Sequence, residues 1–122
     1  MKTLTGIILF FFGLMYFTAC EYETIEPEKA APIDTSVVIK FSTDIAPLFD
    51  PKCTSCHGGS INPDLRKANS WTSLTNGKYV EKPSATSKLL LKINANHNTS
   101  TQLTATDKQK IAKWIDDGAK NN

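Results

Sequence analysis

The chain has 122 residues, of which 40% are hydrophobic and 21% charged, with a formal net charge of +2 at pH 7. That length accommodates one domain rather than two, and near-neutral charge with 9% aromatics argues against a dedicated nucleic-acid binder, a collagen-like chain or a disordered one. A polytopic membrane protein is excluded as well, because only one apolar stretch is present.

That stretch opens the chain. Met1 and Lys2 form a short positive segment, Leu4 to Phe17 an apolar one, and Thr18 and Ala19 are the small residues that precede a cleavage site. The run falls short of the ~20 residues that span a bilayer, and it ends at Cys20, directly before Glu21 and Glu23. Phe17-Thr18-Ala19-Cys20 resembles the box of bacterial lipoprotein signals, with phenylalanine where leucine is usual. The resemblance implies a signal peptide over 1–19, lipidation of Cys20, and an extracytoplasmic protein anchored to a bacterial membrane, periplasmic or at the cell surface. The alternative, an uncleaved membrane anchor, puts the rest of the chain on the same side. Both methionines, Met1 and Met15, lie in this segment, so a processed chain contains none.

Residues 20–40 read as a flexible acidic tether, charged and interrupted by Pro27 and Pro32, without helical or strand periodicity. Over 21–34 there are five acids and one base; from Thr35 to Asn122 there are twelve bases and seven acids. The domain proper, 41–122, keeps only five aromatics, Phe41, Phe49, Trp71, Tyr79 and Trp114, too few for a secure core without a staple.

Its elements are helical. Thr43 or Asp44 is placed to cap a first short helix carrying Ile45, Leu48 and Phe49, with Pro47 in its first turn. A second candidate runs from about Lys67 to Leu74 and stops at Asn76-Gly77. Ser84 or Ser87 caps a third, with Leu89, Leu90, Leu91 and Ile93. Thr104 with Asp107 forms a capping box for the last, in which Ile111, Trp114 and Ile115 recur at helical spacing before Gly118 ends it. Val37 to Ile39 is the only β-branched run, and it is short. Asp116 and Asp117 are expected as solvated helix-end carboxylates.

The chemistry sits at Cys53-Thr54-Ser55-Cys56-His57, a Cys-x-x-Cys-His sequence, the attachment signature of c-type haem. Two cysteines three positions apart on a turn direct both sulfurs to one side, each able to join one vinyl group, while the histidine reaches the iron as axial ligand. A covalent haem also supplies the missing staple. The rivals are a structural disulfide, whose tight loop would restrain little chain; a thioredoxin-like pair, which needs a βαβ context absent here; and zinc held by Cys53, Cys56, His57 and His97.

The stretch Phe41 to Phe49, then Cys53 to His57 with Gly58-Gly59, resembles the opening of small class I-type cytochrome c domains, including the planctomycete-type group. Pro63 to Leu65, Trp71 to Gly77, Ser87 to Leu90 and Trp114 to Ala119 fit the same plan. The resemblance implies an all-α, cytochrome c-like fold of about four short helices around one covalently bound haem. It implies that Ile45 and Phe49 pack near Ile111, Trp114 and Ile115, and that a proline after the motif, Pro63 being nearest, offers its carbonyl to His57.

Most members place a methionine in the loop before the last helix, and this sequence has none there. His97, the only other histidine, lies seven residues before Thr104 and is the expected second axial ligand. Lys92 is poorer because it must first lose a proton. Without methionine ligation the potential is expected below that of an ordinary class I cytochrome.

The function expected is that of a membrane-tethered monohaem cytochrome passing single electrons between redox partner proteins, without nucleic acid or small-molecule substrate and without enzymatic activity. The alternatives are a ligand-binding or sensor haem with an open sixth site, and a zinc-stabilised structural lipoprotein.

Overall fold

In the computed structural model, which describes residues 32–95, 97 and 103–122, every regular element is helical and no strand occurs among the described residues. A π-helical turn over Phe41–Ile45 runs directly into α1 (Ala46–Phe49). There follow α2 (Ser70–Asn76), a 3-10 turn (Ser84–Thr86), α3 (Lys88–Asn94) and α4 (Ala105–Asp116). The described residues are all-α. The expected signal segment over 1–19 and Cys20 lie outside the described residues, and among those described no helix is long and apolar enough to cross a membrane.

The first helical segment starts at Phe41, ahead of the cap expected at Thr43 or Asp44. Asp44 lies inside it and reaches back, its carboxylate accepting the Lys40 N–H at 2.8 Å. The Ala46 N–H donates to the Phe41 carbonyl, a wide turn that delivers Pro47 into the first turn of α1, where its missing N–H costs nothing. Helix α2 begins three residues later than expected, because the Asn69 and Ser70 N–H groups both turn in on the Arg66 carbonyl at 2.8 Å.

Both serines expected as caps are used, in different ways. Ser87 caps α3 by accepting the Leu90 N–H at 3.3 Å. Ser84 opens the 3-10 turn instead, and its N–H and hydroxyl donate to the two carboxylate oxygens of Asp116 at 2.8 and 2.7 Å. The expectation that Asp116 and Asp117 are merely solvated is therefore corrected. Tertiary folding brings the Ser84 turn onto the end of α4, and Asp117 accepts Lys113 Nζ one turn away at 2.9 Å.

Helix α4 carries the complete capping box: the Thr104 hydroxyl accepts the Asp107 N–H at 3.1 Å and the Asp107 carboxylate accepts the Thr104 N–H at 3.0 Å. It ends where Gly118 takes φ 103°, a conformation with little steric cost for glycine alone. There the Gly118 and Ala119 N–H groups close on the Ile115 and Trp114 carbonyls, each at 2.9 Å.

The core joins the two ends of the domain. Phe41, Ile45 and Phe49 lie in one buried cluster with Ile111, Trp114 and Ile115, and the Phe41 and Trp114 ring centroids are 5.2 Å apart. Burying each such side chain contributes about 1.5–3 kcal/mol relative to exposure. Ile39, on the tether side of the expected boundary, is buried in the same cluster. Asn122 clasps the start of the first helix, its side-chain oxygen accepting the Phe41 N–H at 2.8 Å and its backbone oxygen the Ser42 N–H at 3.0 Å. Both tryptophans donate to the segment after α4, Trp71 to the Ala119 carbonyl at 2.8 Å and Trp114 to that of Lys120 at 2.9 Å. With its ends locked this way, the domain brings Cys53 and His57, from the turn after α1, to one cavity with His97 and Leu103.

Candidate cofactor site

The Cys-x-x-Cys-His segment hangs from the end of α1 as a hydrogen-bonded turn. The Phe49 carbonyl accepts the Cys53 and Thr54 N–H groups at 2.7 and 3.3 Å, and the Cys53 carbonyl accepts those of Cys56 and His57 at 3.2 and 2.9 Å. Phe49 is itself 1% exposed, so the buried end of α1 fixes where the motif begins. Cys53 is half-buried against the core and Cys56 exposed; both are free thiols. Burial pushes the Cys53 thiol above its ordinary range, with nearby Lys52 opposing. A cysteine that attacks disulfides needs the reverse shift.

His57 is oriented by backbone. Its Nδ1 lies 3.0 Å from the Pro63 carbonyl oxygen and 3.3 Å from that of Ile61. A carbonyl oxygen only accepts, so Nδ1 carries the proton and a neutral ring keeps its lone pair on Nε2, the arrangement a metal ligand needs. The loop that supplies these carbonyls is closed by the Leu65 N–H donating to the His57 carbonyl at 2.8 Å. Behind it Asp64 is clamped, accepting from Arg66 at 2.7 Å and from Asn69 at 2.7 Å. These two partners hold its carboxyl well below the usual carboxylate range.

His57 and His97 stand together, their ring centroids 6.1 Å apart and their planes inclined by 47°. Both, with Cys53 and Pro63, line one cavity of about 340 Å³. Its apolar walls are Phe49, Leu65, Tyr79, Leu89, Ile93 and Leu103. Cys56, three residues along the turn from Cys53, is not among the lining residues. Of the walls, Leu89 and Ile93 had a signal in their one-turn spacing on α3. Tyr79 and Leu103 had none, since each is brought in by a loop.

Two imidazoles this close are a donor set that could ligate one metal ion. Metal–nitrogen distances of about 2.0–2.1 Å are compatible with one ion between rings whose centroids are 6.1 Å apart. Among the described residues no three His, Cys, Asp or Glu side chains gather as a metal-binding group, so Cys53 and Cys56 do not join the two histidines around a common point. Cys53, His57 and His97 line the cavity and could hold a flat apolar cofactor there, while Cys56 stands outside the lining on the same turn. Comparison with known proteins returns no match: no family model, no curated protein and no solved structure matches this chain.

Proposed function

We propose that residues 41–122 form a cytochrome c-like domain holding one covalently attached haem. The protein passes single electrons between redox partner proteins outside the cytoplasm, tethered to a membrane through lipidated Cys20. The observation that carries this reading is the pair of imidazoles, 6.1 Å between centroids, lining one largely apolar cavity together with the first cysteine of the motif.

Bound haem supplies a one-electron iron couple. The chain's own residues do the rest. Cys53 and Cys56 hold the cofactor by thioethers. His57 ligates through Nε2 while the Pro63 carbonyl restrains its ring and raises its basicity. His97 would be the second protein ligand, and the apolar walls would pack against the cofactor's body. With two protein ligands there is no place for a substrate, so the protein is an electron carrier and not an enzyme.

The test is the optical spectrum of the full chain, made in a host with haem c maturation, oxidised and dithionite-reduced, with and without carbon monoxide. A low-spin c-type spectrum unmoved by the gas is expected, and His97→Ala should convert it to a high-spin, gas-binding form. A native protein that already binds the gas overturns the ligation and leaves a ligand-binding or sensor haem. A chain that attaches no haem overturns the reading altogether and directs attention to zinc.

A further inference from the structure

The ligating residues leave one property of the cavity unused, its charge. Lys88, Lys92 and Lys108 line it, and no aspartate or glutamate does. Among the described residues none of the three is in an ion pair; the salt bridges are made by Lys52, Arg66 and Lys113. Lys88 and Lys92 are one helical turn apart on α3 and form one stripe, beside the Leu89 and Ile93 stripe that walls the cavity. Lys108 enters from the first turns of α4.

The lysines border the apolar space and do not fill it. Lys88 and Lys92 are exposed and Lys108 is half-buried, and Lys88 Nζ stands 5.9 Å from the centroid of the Tyr79 ring, itself a wall. Long stems lie along apolar surface while the ammonium groups stay at the edge. An apolar slot with three cations and no anion is complementary to a ligand that is flat and apolar in its body and anionic at its margin.

We propose that Lys88, Lys92 and Lys108 seat the two propionate carboxylates of the haem, setting how the ring lies in the slot and holding those carboxylates ionised. This rests on the haem reading above. It has a consequence for partners: the cofactor's two carboxylates cancel two of the three positive charges, so the loaded rim offers an acidic protein one net charge and not three.

The test uses the haem-loaded full chain and the variants Lys88→Gln, Lys92→Gln and Lys108→Gln, with Lys110→Gln as a control that removes the same charge from α4 at a residue outside the cavity lining. Two quantities are read: the propionate bending bands in the resonance Raman spectrum, and the pH at which the midpoint potential inflects as a propionate takes up a proton. An opposite charge within hydrogen-bonding reach lowers a carboxyl pKa by about 1–3 units, so losing a seating lysine should raise the inflection by about that much and shift the bands. Lys110→Gln should do neither. Lys88 and Lys92 are exposed, so their variants carry the test even where Lys108→Gln attaches haem poorly. Variants that attach haem but match Lys110→Gln in both readouts overturn the seat. Variants that change only the rate of exchange with an acidic partner also overturn it and make the rim a docking patch. Absence of haem from the native chain is a separate result, and defeats the haem reading first.

Discussion

Asp116 is exposed, yet replacing it with alanine should destabilise the domain measurably, because both its oxygens are engaged by a residue 32 positions away. Ser84 is 8% exposed, and Asp116→Ala leaves its N–H and hydroxyl without their partner. Two hydrogen bonds at about 0.5–1.5 kcal/mol each give about 1–3 kcal/mol. The larger values of charge-assisted bonds do not apply, since water screens a carboxylate on the surface. With an m-value of about 1 kcal/mol/M for so small a domain, a loss of about 2 kcal/mol lowers the urea midpoint by about 2 M. Urea is preferred to guanidinium, whose ionic strength would itself weaken the contact. Unfolding is followed by the fluorescence of Trp71 and Trp114, whose indole N–H groups are hydrogen-bonded to the segment after α4 in the folded domain. A cycle with Ser84→Ala isolates the hydroxyl, for which a coupling of about 0.5–1 kcal/mol is expected. A single variant within about 0.5 kcal/mol of the native protein, at unchanged m, would refute the reasoning and make the pair incidental.

Three further outcomes follow from local chemistry. The Asp64 carboxyl is held below the usual range by Arg66 and Asn69, so its stabilisation is complete above the unfolded carboxylate pKa of about 4 and is lost as pH falls through the lowered folded value. The midpoint difference between the native protein and Asp64→Asn should therefore narrow as pH drops from about 5 toward 2, and a constant difference contradicts this. In chain prepared without haem, iodoacetamide at about pH 8 should label exposed Cys56 before half-buried Cys53, whose thiol burial keeps protonated; mass spectrometry showing equal or reversed order counts against the geometry. Gly77→Ala would place its methyl group 2.6 Å from Tyr79 Cδ2, forcing the ring from the cavity wall at a cost of about 1–3 kcal/mol. That cost should largely vanish in a Tyr79→Ala background, and its persistence would mean that Gly77 is needed for something other than room for the ring.

Much of the local structure is legible without coordinates, because its causes lie within a few residues. Thr104 and Asp107 cap α4 from three positions apart, Gly118 stops it through its own backbone freedom, and Ile111, Trp114 and Ile115 mark its buried side by spacing alone. The Cys53–His57 turn is equally short-range. The start of the first helix was not legible, since the Phe41 N–H is satisfied by Asn122, at the other end of the domain. Nor was the partner of Asp116, for the same reason of distance along the chain.

The sequence by itself determined a helical domain and which residues bear metal-ligating and sulfur chemistry, because residue type and short-range spacing are local properties. Tertiary structure alone decided that the rings of His57 and His97, forty positions apart, stand 6.1 Å apart, since that separation depends on packing that brings Phe49 and Leu103 into one core. It also added the Ile61 carbonyl beside that of Pro63, which was already expected at the His57 ring, and decided that three lysines from two helices share one cavity with no carboxylate among them. A side chain's neighbours across space are set by packing, and packing is a property of the whole chain and not of any segment.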